Sequence, residues 1–544
     1  MTEAVKNATS TINPEIGEDV TFDPLDMNNY RIEKLPKMVK SGFEKWMAIV
    51  GGPLAIVLFI YFYWFAKIPF LEHLNVSVMG KEAAKRFGEV GSAGFTKINY
   101  AMLAIFMGAI VLWITEAIPN YLTSLILILA MVLTGVTTDK VAYAQLGHPV
   151  MWLNILSFVL ASMLVKTRVA KRFALWFVIR FGKNATMVIF SFMVINIVLS
   201  AFISATTAKA TILLPIFMVV AAIYGASKGD RNNFGRNLVL QNLFQINMGA
   251  TGFLTGSGAN LLAAAMIAGA MGWSSFSYQD WFVAAFPLCL ILMLIGWFVG
   301  LKIIFPLKKG ENQPQIEGGM DRLRLELANM GKMTFEEYKA IAIFVGVLAL
   351  WATDKQHGIN QTAVAFMGAV VALLPGIGIV KWNDVDIPWH LLLFSAGAYT
   401  LGAGLEATDL PATMVDTLFN AIGINAHTPF ILIYAMLTGG MLFSALLFES
   451  KTMRALIFIP ISIGVAHKFG YSILSLAFPV ALLVEHVYVL PFNSKPAALL
   501  YTTNHYSWSD TLKYGLSMMV ISWFMIMLWG ETVLKWLGYT NGLL

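Results

Sequence analysis

Cysteine and charged residues are both scarce in this sequence. The one cysteine, Cys289, cannot form an internal disulfide bond, and its apolar surroundings predict a small buried hydrophobic residue. Charged residues make up 12% of the chain, whereas soluble domains carry about 25%. This shortage of charge excludes an ordinary soluble protein.

Motifs for catalysis and for cofactor binding are missing as well. The sequence has neither a metal-ligand cluster nor a glycine-rich phosphate loop, and no spacing of its serines and histidines indicates a catalytic triad. His148 and His390 lie near predicted helix ends, where a structural role is the more common one. We therefore predict no catalytic residues, no metal site and no cofactor, and an intramembrane hydrolase is poorly supported.

Apolar residues, by contrast, dominate the chain. Its 544 residues are 58% hydrophobic and have a mean hydropathy of +0.70, which predicts an integral membrane protein with many lipid-contacting spans. The net charge of +6 does not indicate a nucleic-acid partner, because the basic residues lie mostly in short segments that flank apolar runs. Residues 1–30 are polar and have no apolar core, so we predict no cleavable signal peptide.

A polar motif occurs twice inside apolar runs. Residues 205–216 and 450–461 align without a gap at an offset of 245 residues (205 to 450), and Lys209 of the first copy matches Arg454 of the second. A charged side chain at membrane depth costs at least ~2.5–3.5 kcal/mol. Two such polar breaks at corresponding positions of two halves indicate the binding site of a transporter.

The apolar runs and the repeat divide the chain into five segments. These are a cytoplasmic tail with a basic amphipathic helix (1–46), a first span and connection (47–99), a first inverted repeat (100–305), a cytoplasmic linker (306–336) and a second inverted repeat (337–544). For residues 31–46, a solvated lead-in to the first span is an equally good interpretation.

Each repeat contains a hairpin and a broken helix. The hairpins are predicted at 186–224 and 429–466, and the helix breaks at 255–260 and 491–496. Five crossings per half, an odd number, invert one half relative to the other. The fold class is therefore an all-α polytopic membrane protein with inverted repeats, two re-entrant hairpins and two broken helices. A kinked pair of ordinary spans is the alternative to the first hairpin.

Basic clusters predict the orientation in the membrane. One long, bent helix is predicted over 149–183, and its C-terminal end carries several basic residues and no acidic residue. Further basic residues lie in 302–332. Such clusters are typical of the cytoplasmic side. We expect the N-terminus inside and the C-terminus outside.

Candidate binding residues lie at the two hairpin tips and in the two broken helices. They are Ala205, Thr206, Thr207, Lys209, Ser257, Gly258, Asn260, Ser450, Lys451, Thr452, Arg454, Ser494 and Lys495. The second arm of each hairpin begins at the tip, so a helix N-terminus faces the site and favours an anion. The lysines and Arg454 add positive charge, which predicts an anion with more than one negative group.

Structural roles remain open for several of these residues. The tip threonines can cap helices, and Ser257 and Asn260 can close the first broken helix. Lys209 and Arg454 can pair with backbone carbonyls or with an acid such as Glu449 instead of touching a ligand.

The doubled tip, the Gly-Ser-Gly-Ala-Asn loop at 256–260 and the Thr-Glu-Ala-Ile-Pro segment at 115–119 resemble the divalent anion/sodium symporter family. The resemblance runs from about residue 100 to the C-terminus. It implies a homodimer with a scaffold domain and an elevator-like transport domain, carrying di- or tricarboxylates such as succinate, malate, 2-oxoglutarate or citrate. Sodium-coupled members of the family bind Na⁺ at each Ser-Asn-Thr tip.

The chain departs from the family at both tips. Ala205-Thr206-Thr207 replaces the first Ser-Asn-Thr, and Lys451 takes the asparagine position of the second. A lysine ammonium can occupy the space and the charge role of a sodium ion. Lys495 also stands where the family usually has proline. These changes resemble the sodium-independent exchangers of bacteria and plastids, which carry an arginine after the first tip, where this chain has Lys209.

Three functional interpretations follow. The first is a dicarboxylate:dicarboxylate antiporter in the bacterial plasma membrane, in which uncompensated Lys451, with Lys495 and Arg454 nearby, prevents the empty transport domain from crossing. The second is a sodium-coupled dicarboxylate symporter of the same fold. The third is an anion channel or receptor, although two opposed hairpins favour a closed, alternating site over a continuous pore.

Overall fold

The computed structural model describes residues 23–30, 42–72, 79, 81–226, 231–271, 276–408, 410, 428–447, 450–491 and 493–543. Most of the predicted amphipathic helix, residues 31–41, lies outside this part of the chain. None of the described residues belongs to a β-strand. The prediction of an all-α fold is therefore confirmed.

The helices of the first half and of the connection to the second are as follows: α1 Gly42–Ile60, α2 Pro69–Glu72, α3 Lys81–Thr115, α4 Asn120–Leu133, α5 Asp139–Ala144, α6 Pro149–Thr167, α7 Val169–Phe181, α8 Ala185–Phe202, α9 Thr206–Ile223, α10 Asn233–Gly252, α11 Gly258–Met271, α12 Tyr278–Val299 and α13 Gly319–Asn329. Those of the second half are α14 Phe335–Ala352, α15 Asp354–His357, α16 Gln361–Leu373, α17 Trp389–Thr408, α18 Phe430–Phe443, α19 Lys451–Phe469, α20 Ile473–Leu482, α21 Lys495–Tyr501, α22 Trp508–Glu531 and α23 Val533–Trp536.

Eight helical stretches in the described part of the chain are long and apolar enough to cross a membrane. The first of them, Lys45–Phe65, is the least buried, with only 11% of its apolar window inside the protein. It exposes large side chains such as Ile49, Ile56 and Trp64. An exposed apolar helix of this length suits contact with lipid.

Two helix–break–helix hairpins and two broken helices occur in the same order in both halves. The first half contains the hairpin α8–α9 and the broken helix α10–α11, and the second contains the hairpin α18–α19 and the broken helix α20–α21. Proline lies inside the second arm of each hairpin, as Pro215 in α9 and Pro460 in α19. The predicted pairs of hairpins and broken helices are therefore confirmed.

The hairpins and broken helices pack crosswise between the halves. Helix α9 of the first hairpin contacts α21 of the second broken helix, and α19 of the second hairpin contacts α11 of the first broken helix. A second group of helices packs mainly among itself, through the pairs α1–α3, α4–α17 and α6–α16. The crosswise packing brings both tips and both breaks into one region.

Matching caps at the start of α12 and of α22 extend the repeat. Ser277 and Asp280 form a capping box, and Ser507 and Asp510 form the same box at an offset of 230 residues (277 to 507). Each aspartate pairs with a cation from the other half, Lys355 for Asp280 and Arg236 for Asp510. These paired ions tie the two halves together.

Two predicted boundaries were wrong. The predicted long helix over 149–183 is two helices, because Arg168 adopts a left-handed conformation with φ 58° and interrupts the backbone between α6 and α7. The predicted polar connection before residue 100 is instead the first part of α3, which begins at Lys81 and kinks at Gly91 with φ 70°. Only glycine adopts such a φ readily.

Candidate functional site

The two hairpin tips have nearly the same backbone conformation. Ala205 has φ −86° and ψ 108°, and Ser450 has φ −93° and ψ 118°. The second arm begins one residue later, at Thr206 and at Lys451, so that an open helix N-terminus lies at each tip. The tips differ in their caps, because the Ser450 hydroxyl accepts a hydrogen bond from the Met453 N–H at 3.3 Å whereas Ala205 has no such group.

The two helix breaks are equally alike. Ser257 has φ −158° and ψ 157°, and Ser494 has φ −161° and ψ 157°. Each hydroxyl caps the second segment of its broken helix, accepting from Asn260 N at 3.2 Å and from Ala497 N at 3.3 Å. Asn260 also donates through Nδ2 to two carbonyls of the first break, those of Ala250 at 2.8 Å and Phe253 at 3.1 Å.

Lys209 and Arg454 occupy equivalent buried positions behind the tips, and both are 0% exposed. Lys209 Nζ donates to Ser200 Oγ at 2.8 Å and to the Ile246 carbonyl at 3.4 Å. Arg454 donates to Ser444 Oγ at 3.0 Å and to several carbonyls, including that of Leu483 at 3.4 Å.

Each of these cations therefore joins the first arm of its own hairpin to the end of the neighbouring broken helix. Carbonyls near a helix C-terminus lack intrahelical partners and attract positive charge. Of the two roles that the sequence left open, this geometry favours the structural one for Lys209 and Arg454. Glu449, the acid considered as a partner for Arg454, lies outside the described residues.

Lys451 behaves differently, because it reaches across the site. Its Nζ donates to Glu485 Oε2 at 2.7 Å and to Thr206 Oγ1 of the first tip at 3.3 Å. The other oxygen of Glu485, Oε1, accepts from Ser257 Oγ at 2.5 Å. One continuous chain of contacts, Thr206–Lys451–Glu485–Ser257, thus connects both tips and both broken helices.

This chain of contacts corrects the expectation that Lys451 is uncompensated. Glu485 is fully buried, and its carboxylate neutralises the ammonium at salt-bridge distance. Lys495 is exposed at the start of α21.

The predicted residues divide into an open face and a buried layer. The partly or fully exposed ones are Ala205, Thr207, Gly258, Ser450, Lys451, Thr452, Ser494 and Lys495. The buried ones are Thr206, Lys209, Ser257, Asn260 and Arg454. The first group is accessible from outside the protein, and the second group packs behind it.

Glu485 was missed by the sequence analysis. It is an acid within the apolar run 476–491, which was interpreted only as one arm of the second broken helix. An ionisable residue inside a membrane segment is a functional candidate by default, and it should have a partner. That signal was available in the sequence, and Lys451 is the partner that the fold provides.

One cavity lies outside this group of residues. It has a volume of about 690 Å³ and lies between α7, α8, α13 and α14, with walls that are apolar apart from Arg172 and Arg324. Arg172 is already engaged by Glu337 at 2.6 Å, and Arg324 pairs with Asp321. The cavity contains none of the tip residues, and we do not assign the substrate to it.

The fold and the site together define a class of protein. Paired hairpin tips and paired broken helices that meet at a charged centre, within a bundle of membrane-length helices, are the architecture of a secondary transporter. The chain is a polytopic helical membrane transporter and not an enzyme.

Comparison with known proteins gives the family. The family model described as the sodium:sulfate symporter transmembrane region matches residues 91–540. The chain therefore belongs to this family, the divalent anion/sodium symporters that the tips resemble.

Relatives with similar sequences share most of this length. A protein of Cupriavidus necator named only as a membrane protein is 24% identical over 467 residues, covering 82% of this chain and 89% of the relative. The sodium-dependent dicarboxylate transporter SdcS of Staphylococcus saprophyticus is 25% identical over 449 residues, covering 78% and 84%. The solved structure of the Alcanivorax borkumensis YdaH transporter covers 92% of this chain and 99% of its own at 11% identity, with a TM-score of 0.43.

Proposed function

We propose that this protein is a sodium-independent dicarboxylate:dicarboxylate antiporter that works by an elevator mechanism. The observation that carries the proposal is the Lys451–Glu485 pair at the second tip, which contributes a fixed cation, with its counter-ion, to the centre of the site. The substrate class is that of succinate, malate, 2-oxoglutarate or citrate.

The open face of the site supports a substrate with two carboxylates. Helices α9 and α19 begin at the two tips, and helix N-termini favour anions. Thr207 and Thr452 lie in the first turns of these helices and are partly exposed. We infer that each hydroxyl donates a hydrogen bond to one substrate carboxylate. The relative SdcS, whose name states a dicarboxylate substrate, supports the same class.

The second tip offers poor ligands for sodium. Lys451 fills the asparagine position of the sodium-binding tip, and its ammonium already contacts Thr206 Oγ1 and Glu485 Oε2. A sodium ion beside it would meet a like charge. At the first tip, Ala205 contributes no side-chain oxygen at all. We infer that the lysine replaces a coupling ion.

Obligatory exchange follows from the charge that remains when substrate is absent. Glu485 balances Lys451, but Lys209 and Arg454 are hydrogen-bonded to neutral oxygens only. Moving such charge through a low-dielectric membrane is expensive, and fixed cations cannot leave as sodium ions can. A bound dianion offsets two positive charges, so the loaded transport domain should cross readily and the empty one should not.

The second candidate is a sodium-coupled symporter of the same fold. The observation that favours it is the printed name of the relative SdcS, a sodium-dependent dicarboxylate transporter that is 25% identical. In that case sodium would bind in spite of Lys451, and uptake would need no substrate on the far side of the membrane. Substrate class and coupling are therefore separate questions with separate assays.

The cellular arrangement is also proposed. We expect a homodimer in the bacterial plasma membrane, with the N-terminus in the cytoplasm and the C-terminus outside. Two segments rich in basic residues support this orientation, because they pack against each other through the Lys171–Glu326 ion pair and through hydrogen bonds from Arg172 to the Gly331 and Met330 carbonyls.

Counterflow in proteoliposomes tests the substrate class. Liposomes loaded with unlabelled succinate should accumulate labelled succinate from outside, and external malate, 2-oxoglutarate or citrate should compete while monocarboxylates should not. Protein-free liposomes are the control for leak. The absence of counterflow with every di- and tricarboxylate would contradict the proposed substrate class.

A further inference from the structure

We propose that Glu485 sets the net charge of the binding site and thereby makes it select dianions over trianions. The proposal rests on the proposed carboxylate transport and adds a residue that determines its specificity. It comes from the position of Glu485, a carboxylate in contact with Lys451 of the second tip and with Ser257 of the first broken helix.

Glu485 is fixed in place. Its side chain is 0% exposed, and each of its oxygens has a donor, Ser257 Oγ for Oε1 and Lys451 Nζ for Oε2. Ser257 is itself held by the N–H of Asn260 at 3.2 Å. A carboxylate bound in this way cannot swing out of the site, so its negative charge is a permanent part of the site.

Glu485 lies behind Lys451 and not beside the substrate. The side chain of Lys451 is 19% exposed, whereas that of Glu485 is completely covered. A ligand that enters from the open face therefore meets the ammonium first. Glu485 is a positioning residue, because it orients Lys451 and reduces the charge that the ligand experiences.

Glu485 changes the charge of the cluster formed by the tip cations. Lys451 lies at the second tip, Lys209 and Arg454 lie behind the two tips, and Glu485 lowers the net charge of this group by one unit. Each additional negative charge on a ligand therefore meets a less positive site. Unbalanced negative charge in a low-dielectric region is costly, so a trianion is disfavoured relative to a dianion.

Replacing the acid by its amide changes this count by one unit. Glu485→Gln removes one negative charge, so the net charge of the site rises by one unit. Every negative charge on a ligand interacts with this additional unit of charge. A trianion gains one more such interaction than a dianion does. At the effective dielectric constant of a partly buried site, one interaction is worth a selectivity change of about ten-fold or more.

Glutarate and tricarballylate are matched probes, because tricarballylate is glutarate with one additional carboxylate on the central carbon. Each is used as a competitor in succinate counterflow at about pH 8, where both are fully ionised. Wild-type protein should prefer glutarate. In Glu485→Gln the ratio of the two inhibition constants should change by about ten-fold or more in favour of tricarballylate binding.

Two further variants separate charge from folding. Lys451→Gln lowers the site charge by one and should move the ratio the opposite way, toward glutarate. The double variant Lys451→Gln/Glu485→Gln restores the net charge and should return the ratio to that of wild type, even if both affinities fall. Glu337→Gln is the matched control, because it removes a buried acid, 2% exposed and paired with Arg172, away from the tips. Its ratio should not change.

A Glu485→Gln ratio within two-fold of wild type would overturn the proposal. If Glu485→Gln does not fold, the double variant is compared with Lys451→Gln instead. Equal ratios of the inhibition constants for these two variants would also overturn the proposal. Wild-type protein without any carboxylate counterflow would instead contradict the proposed function, and the two failures are therefore distinguishable.

Discussion

At the scale of single residues, neighbouring positions in the tips have different tasks. Thr206 is buried and accepts a hydrogen bond from Lys451 at 3.3 Å, so its hydroxyl belongs to the contacts between the tips. Thr207 and Thr452 are partly exposed and lie in the first turns of α9 and α19. We propose that these two hydroxyls contact the ligand.

The first prediction concerns Thr452. A hydrogen bond to a charged group contributes ~1.5–3 kcal/mol, so Thr452→Ala should weaken substrate binding by roughly ten-fold or more. The dissociation constant of purified protein is the measurement. Ser462→Ala is the control on the same helix, because the Ser462 hydroxyl only donates to the Phe458 carbonyl at 2.7 Å. A normally folded Thr452→Ala variant with an unchanged dissociation constant would count against the ligand role.

The sequence predicted which residues meet at the site better than it predicted their partners. The repeat of Lys209 and Arg454 identified both tips, because a charge in an apolar run stands out against its neighbours. Their bonds to Ser200 and Ser444 could not be foreseen, since these depend on how the two arms of each hairpin pack. For the same reason, Glu485 was not connected with Lys451.

At the scale of secondary-structure elements, the two broken helices have the same geometry but different connections. Ser257 and Ser494 have matching torsion angles and cap matching helix segments. Only Ser257 also donates to Glu485, whereas Ser494 donates to the Val487 carbonyl at 3.2 Å. The symmetric elements therefore carry an asymmetric charge network.

The second prediction is a double-mutant cycle on this difference. Ser257→Ala and Ser494→Ala should each cost about 1 kcal/mol of stability through the lost cap. Combined with Glu485→Gln, Ser257→Ala should show a coupling energy of about 0.5 kcal/mol or more, because the two residues are in contact, while Ser494→Ala should be additive. Thermal unfolding of the ligand-free protein is the measurement. Equal coupling for both serines would contradict the network.

Elements were predicted best where the apolar pattern was interrupted by polar residues. The hairpins and broken helices met that condition, and they were found close to their predicted positions. The helix break at Arg168 was missed, because a left-handed turn at a residue other than glycine leaves no compositional signal. The early start of α3 was missed because residues 81–99 are polar and still helical.

At the scale of the whole molecule, we infer the orientation in the membrane from the positions of the basic residues. The basic segment of α7 contacts α13, so the two regions predicted to be cytoplasmic lie at the same end. Helix α14 leads away from that end. Its 18 residues are about 27 Å long at 1.5 Å per residue, close to the ~30 Å of a membrane core. We therefore expect residue 356 to lie at the opposite end.

The third prediction concerns the side of the membrane on which each of these two ends lies. Cys289 is fully buried, which leaves a low labelling background. A membrane-impermeant thiol reagent added to intact cells should label Gln356→Cys and should leave Glu317→Cys unlabelled until the membrane is opened. Both positions are exposed in the folded protein. Labelling of Glu317→Cys from outside would reverse the proposed orientation.

Coupling between substrate and ion is a property of the whole molecule. Because the charges of the empty site are fixed to the protein, the transport domain should return only with a dianion bound, and sodium should have no part in the cycle. Lys451→Asn restores the family residue at the second tip. It should relax the requirement for exchange and permit leak or weak sodium sensitivity.

The decisive measurement is uptake of labelled dicarboxylate into proteoliposomes that are empty or loaded with unlabelled dicarboxylate, each in sodium and in choline buffer. We predict rapid uptake only into loaded liposomes, at the same rate in both buffers. Robust uptake into empty liposomes driven by a sodium gradient would contradict the exchanger and establish the symporter in its place.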